Sequence, residues 1–165
     1  MNNLEYSIEV ANLTKKFGQY TSVDNVSFKV RQGEIFGFLG ANGAGKSTTI
    51  KMLCGILQPS SGNAFINGFS IISQTELVKK SIGYMSQKFS LYDDLTIEEN
   101  INFFARVYGL EGTILTERKK WVLETANLMG KESFLTKDLP GGIKQRLALA
   151  NAVIHQPKII FLDEP

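Results

Sequence analysis

Eight consecutive residues, Gly40-Ala41-Asn42-Gly43-Ala44-Gly45-Lys46-Ser47, constrain this chain more than anything else in it. They fit the pattern G-x-x-x-x-G-K-[ST], and Thr48 follows directly. The spacing answers a chemical need. A polyphosphate needs several backbone N–H donors converging on it. Gly40, Gly43 and Gly45 let the backbone turn tightly and approach the oxygens without Cβ atoms in the way. Asn42, Ala44 and Thr48 fill out the cradle. A helix starting near Lys46 aims its N-terminal dipole and N–H groups at the same anion. Lys46 can reach the β/γ-phosphates, and the Ser47 hydroxyl suits Mg²⁺. The bland alternative is a Gly-rich turn with no ligand. Context speaks against it: residues 35–39, Ile-Phe-Gly-Phe-Leu, predict a short strand buried on both faces, and residues 46–55 predict a helix.

Around the loop the pattern alternates. Residues 8–13 and 26–30 predict strands, with a turn at 31–34. Residues 64–68 predict a short strand and turn, 76–80 a short helix, and 82–85 another strand. Thr96-Ile97-Glu98-Glu99 is a capping box that opens a helix to about residue 109. Further helices are expected at 116–129 and 141–155. Strands alternating with helices imply an α/β fold with a parallel sheet. The consecutive helices imply one domain over 1–165 with an inserted helical lobe at about 88–140.

A second feature, an acidic one, closes the pattern. The apolar run 159–162 ends in Asp163-Glu164. In open α/β sheets ligands bind at the C-terminal strand edge, so carboxylates delivered there can serve a phosphate site. Asp163 can hold Mg²⁺, and Glu164 can orient or deprotonate an attacking water. Without the upstream loop, a solvated acidic turn would be the better reading.

The stretch between these features narrows the class. Leu139-Pro140-Gly141-Gly142-Ile143-Lys144-Gln145-Arg146 resembles the signature segment of ABC (ATP-binding cassette) ATPases, usually Leu-Ser-Gly-Gly-Gln. Gln87, after the 82–85 strand, resembles that family's Q-loop glutamine, and Phe17 matches the aromatic that stacks on adenine. The resemblance covers essentially the whole chain. It implies a P-loop NTPase (RecA-like) core, an N-terminal antiparallel β subdomain and an inserted helical subdomain. It implies ATP and Mg²⁺ as ligands, with Ser47, Gln87 and Asp163 at the metal and Lys46, Gln87 and Glu164 in catalysis. Two cassettes, identical or different, would pair head to tail, so that Gly141 and Gly142 contact the γ-phosphate in trans. The helical lobe would press on transmembrane permease subunits, at the cytoplasmic face of a membrane.

The chain departs from the pattern in three ways. Pro140 stands for the usual serine and Ile143 for the usual glutamine. Proline fits a helix start but offers no hydroxyl, and it resembles a multidrug-type exporter branch. The family continues well past residue 165, so a C-terminal portion is expected to be missing and the chain alone to hydrolyse ATP very slowly. Two other readings are a soluble cassette of DNA repair or translation and a catalytically incompetent nucleotide-binding fragment. The net charge of +2, from 18 basic and 16 acidic residues, gives no nucleic-acid footprint. No apolar run reaches the roughly 20 residues that span a bilayer, and the N-terminus does not resemble a signal peptide. The single cysteine, Cys54, reads as a buried apolar residue, and the single histidine, His155, as a structural residue in the last turn of its helix.

Overall fold

A computed structural model describes residues 5–86 and 91–163. Gln87 and Glu164 therefore lie outside the described residues. The chain forms two compact units, 1–82 and 83–165.

The first unit is built on a long hairpin. Strands β1 (Tyr6–Phe17) and β2 (Tyr20–Arg31) pair antiparallel, and β3 (Ser61–Ile66) and β4 (Phe69–Ser70) extend the sheet in the order β2-β1-β3-β4. This is the expected antiparallel subdomain, with strands longer than the sequence pattern suggested. Ile8 and Val10 turn inward by strand alternation, and Leu13, beyond a slip in register, turns inward too, as do Val23 and Val30 from the partner strand. The hairpin register slips between Val10 and Leu13. There Asn12 and Asn25 take left-handed backbones, and the Asn12 amide donates to Asn25 Oδ1 at 2.9 Å. Asparagine tolerates that conformation, so the bulge bends the strands without a glycine. Helix α1 (Lys46–Leu53) buries Ile50, Met52 and Leu53, with Cys54 buried at its end, and α2 (Thr75–Ser81) buries Val78.

One expectation fails in this unit. Residues 35–39 form no strand among the described residues. Ile35 is 100% and Leu39 97% exposed. A strand needs a neighbour's N–H and C=O groups, and this segment pairs into neither described sheet. Its aromatics pack on β2 instead: Phe36 stacks on Phe28 at 5.1 Å, and Phe38 meets Phe28 edge-on at 5.3 Å.

The second unit holds strands β5 (Ile82–Met85) and β6 (Ile159–Leu162) as a two-stranded parallel sheet. It also holds helices α3 (Ile97–Val107), α4 (Gly112–Ala126) and α5 (Gly141–Ala152). Helix α3 starts on the predicted box: Thr96 Oγ1 accepts the Glu99 N–H while the Glu99 carboxylate accepts the Thr96 N–H. Its buried face, Ile97-Ile101-Ala105, recurs every four residues. Val122, Leu123 and Ala126 of α4 and Leu147 and Ala150 of α5 complete one apolar core with it.

Helix α5 ends at Ala152, so His155 lies beyond it rather than in its last turn. The left-handed backbone at Gln156 and the following Pro157 turn the chain away. His155 stacks flat on Tyr108, with ring centroids 3.5 Å apart. The cation at this helix end is Arg118 of α4, which donates from Nε to Ile154 O at 2.7 Å.

Candidate functional site

In the first unit, the phosphate-loop residues take the local structure that their sequence predicts. Residues 40–45 form a loop that feeds straight into α1, and Gly45 is the N-cap residue with φ +83°. A side chain at 45 is doubly forbidden. The backbone is left-handed, and a Cβ would stand 2.3 Å from Ser22 O on β2. The first helical bond runs from Thr49 N to Gly45 O at 2.8 Å. The N–H groups of residues 46–48 therefore have no acceptor inside the helix, which is the arrangement an anion can use. Lys46 folds back over the loop: its Nζ donates to Gly40 O at 2.8 Å and Ala41 O at 2.9 Å. An ammonium has three protons, so one is left for a ligand oxygen. Thr48 Oγ1 accepts from Ser22 Oγ at 3.0 Å. Asn42, Gly43 and Ala44 are exposed in the loop, and Ser47 is half-buried in the first turn of α1.

Phe17 lies at the end of β1 with 49% of its surface exposed. Lys15 lies over the ring, its Nζ 5.2 Å from the centroid and hydrogen-bonded to Gln58 O at 2.6 Å. A half-open aromatic face steadied by a cation is suited to stacking.

In the second unit, β6 delivers Asp163 to a buried position, 5% exposed. The Asp163 N–H donates to Met85 O at 2.9 Å, and the Tyr84 hydroxyl donates to Asp163 Oδ2 at 3.4 Å. Gly83 lets β5 pass close to the end of α5, since a Cβ there would stand 2.5 Å from Ala152 O. The catalytic expectations for Gln87 and Glu164 fall outside the described residues.

Pro140, as N-cap residue, starts α5, which begins at Gly141. The N–H groups of Ile143 and Lys144 both reach Pro140 O, so those of Gly141 and Gly142 precede the helical ladder. Both glycines are exposed, and a Cβ at either would meet nothing within 4 Å. Lys144 does not face this opening freely: its Nζ pairs with Asp93 at 2.8 Å.

Several supporting residues escaped the sequence reading. Tyr84 holds Asp163 from 79 residues away. Asn100, fully buried, donates to Thr136 Oγ1 at 2.8 Å and Tyr92 O at 2.9 Å, and accepts the Tyr92 N–H at 2.9 Å. It ties the segment after residue 90 to the one before the 139–146 segment. An asparagine on the inward face of α3 was the available signal, because a buried amide must find partners. Among the described residues no cluster of three metal-ligating side chains occurs, and no helix is long and apolar enough to cross a membrane.

A family model described as ABC transporter matches residues 23–165. The probable multidrug ABC transporter ATP-binding protein YbhF of Escherichia coli (strain K12) is 50% identical over 161 residues, 98% of this chain and 28% of that protein. The linearmycin resistance ATP-binding protein LnrL of Bacillus subtilis (strain 168) is 37% identical over 96% of this chain and 51% of its own length. A solved ATP binding subunit of an ABC transporter matches with TM-score 0.84 and 30% identity, over 94% of this chain and 65% of that one. The chain thus spans 28% and 51% of the length of the two curated relatives.

Proposed function

Because the chain belongs to the ABC transporter family, we propose that it is part of the ATP-driven motor of an exporter. It binds ATP on residues 40–48 and hydrolyses it to power partner permease subunits at the cytoplasmic face of a membrane. The observation that carries the reading is the loop itself: left-handed Gly45 abutting β2, N–H groups at the start of α1 that precede the helical ladder, and Lys46 held over the loop carbonyls. Export is supported by the relatives, whose names speak of multidrug transport and linearmycin resistance.

Each site residue then has a role. Phe17 stacks on the adenine. Gly40, Asn42, Gly43, Ala44 and Gly45 wrap the phosphates, and Lys46 turns its third proton to the β/γ oxygens. Ser47 and Asp163 would hold Mg²⁺, joined by Gln87; hydroxyl and carboxylate oxygens are the hard donors this ion takes. When bound, the ion offsets charge on the phosphate oxygens. Glu164, by its place after Asp163, orients or deprotonates the attacking water. Gly141 and Gly142 offer their N–H groups to the γ-phosphate of a second cassette. The helices of about 88–140 form the lobe that meets the permease.

Calorimetric titration of ATP into the complete protein and its Lys46→Ala variant tests the core of this reading. Loss of a charged hydrogen-bond donor predicts binding weakened about 10- to 100-fold. Equal affinity in the two proteins would overturn it.

A further inference from the structure

Ser22 has no role in the reading above, yet it touches the phosphate loop twice. Its carbonyl oxygen occupies the space a Cβ on residue 45 would need, 2.3 Å away. Its hydroxyl donates to Thr48 Oγ1 at 3.0 Å, across 26 residues of sequence. Ser22 is half-buried near the start of β2, so the antiparallel sheet, not the loop, fixes its place.

The two threonines in the first turn of α1 have different fates. The Thr49 hydroxyl donates to Gly45 O at 2.9 Å and is consumed inside the helix. Thr48 Oγ1 instead accepts a hydrogen bond from outside the helix. A hydroxyl has one proton and two lone pairs. When one lone pair is taken by Ser22, the Thr48 proton remains to be donated, and the rotamer is held. The hydroxyl stands in the first turn of α1, where the N–H groups precede the first helical bond, Thr49 N to Gly45 O, and an anion is favoured.

We propose that Ser22 is a positioning residue of the nucleotide site, which fixes the Thr48 hydroxyl as a hydrogen-bond donor to a phosphate oxygen of a bound nucleoside di- or triphosphate. The proposal rests on the nucleotide reading of residues 40–48. Ser22 acts through Thr48 and does not itself touch the ligand. Its carbonyl braces the N-cap glycine at the same time, so β2 sets both ends of the first turn.

The test is a double-mutant cycle in the complete protein, with ATP and ADP affinities and the thermal unfolding midpoint measured for each variant. Ser22→Ala and Thr48→Val should each weaken both nucleotides by about 3- to 10-fold. The double variant should be no weaker than the worse single one by more than about twofold, because the two share one interaction. Ser22→Thr, which keeps the hydroxyl, should restore affinity to within about twofold of wild type. Losses that multiply in the double variant, or unchanged affinity in Ser22→Ala, would overturn the proposal. So would a Ser22→Ala loss that Ser22→Thr fails to restore while its unfolding midpoint stays at the wild-type value. Lys46→Ala in the same series separates the two ideas. If it binds ATP like wild type, the nucleotide reading fails; if it loses binding while Ser22→Ala does not, only the role of Ser22 fails.

Discussion

Two glycines that look alike in sequence make opposite demands on a side chain. At Gly45 a methyl group meets the Ser22 carbonyl at 2.3 Å, on a backbone with φ +83°. At Gly141 the same methyl group meets nothing within 4 Å, and the backbone is ordinary helix. Gly45→Ala is therefore expected to cost about 1–3 kcal/mol of stability and to abolish tight ATP binding. Gly141→Ala is expected to stay within about 0.5 kcal/mol of wild type in stability. It should nonetheless lower ATPase turnover, if close approach of a partner's phosphate is what keeps that position bare. Chemical denaturation and steady-state turnover on both variants check the contrast; equal destabilisation would contradict it. The loop-to-helix turn at the 40–45 glycines was legible from sequence because its G-x-x-x-x-G-K-[ST] spacing is local. The reason Gly45 cannot change was not, since its obstacle comes from a strand elsewhere in the chain.

Among the elements, α3 starts where its sequence predicts, while the strand predicted at 35–39 does not form. The difference is range. A capping box is closed by residues three apart, and the Thr96–Glu99 pair forms as the pattern requires. A strand is closed by a neighbour the pattern does not name. The contacts Ser22–Thr48, Asn100–Thr136 and Tyr84–Asp163 span 26, 36 and 79 residues and have no local signature. The capping box also has a pH dependence. Hydrogen bonds from the Thr96 backbone N–H, then from its hydroxyl, hold the Glu99 carboxyl below its usual range. A group with a depressed folded pKa contributes stability above its unfolded pKa and loses it as pH falls through the folded one. Glu99→Gln removes that titration. The gap in unfolding midpoint between wild type and variant should be widest near neutral pH and close in acid, below the ordinary glutamate range. A gap that stays constant with pH would refute this.

At the scale of the molecule, the exposed run 35–39 stands out. Ile35 and Leu39 are bare in a segment of high β-propensity, while Phe36 and Phe38 hold it to β2 by ring packing. Short apolar strand-forming runs left uncovered are aggregation sites. Replacing both residues, Ile35→Lys with Leu39→Lys, should suppress concentration-dependent light scattering of this chain while leaving its unfolding midpoint unchanged. A lowered midpoint would show that the run is buried in solution. At the far side of α1 from the phosphate loop lies a quieter feature, the buried thiol of Cys54, the only sulfhydryl of the chain. A thiol at 1% exposure reacts with an alkylating reagent only in molecules whose helix end has momentarily opened. The labelling rate thus becomes a clock for that opening. Because α1 begins at Lys46 and ends at this cysteine, a ligand gripping one end would slow a chemical reaction at the other.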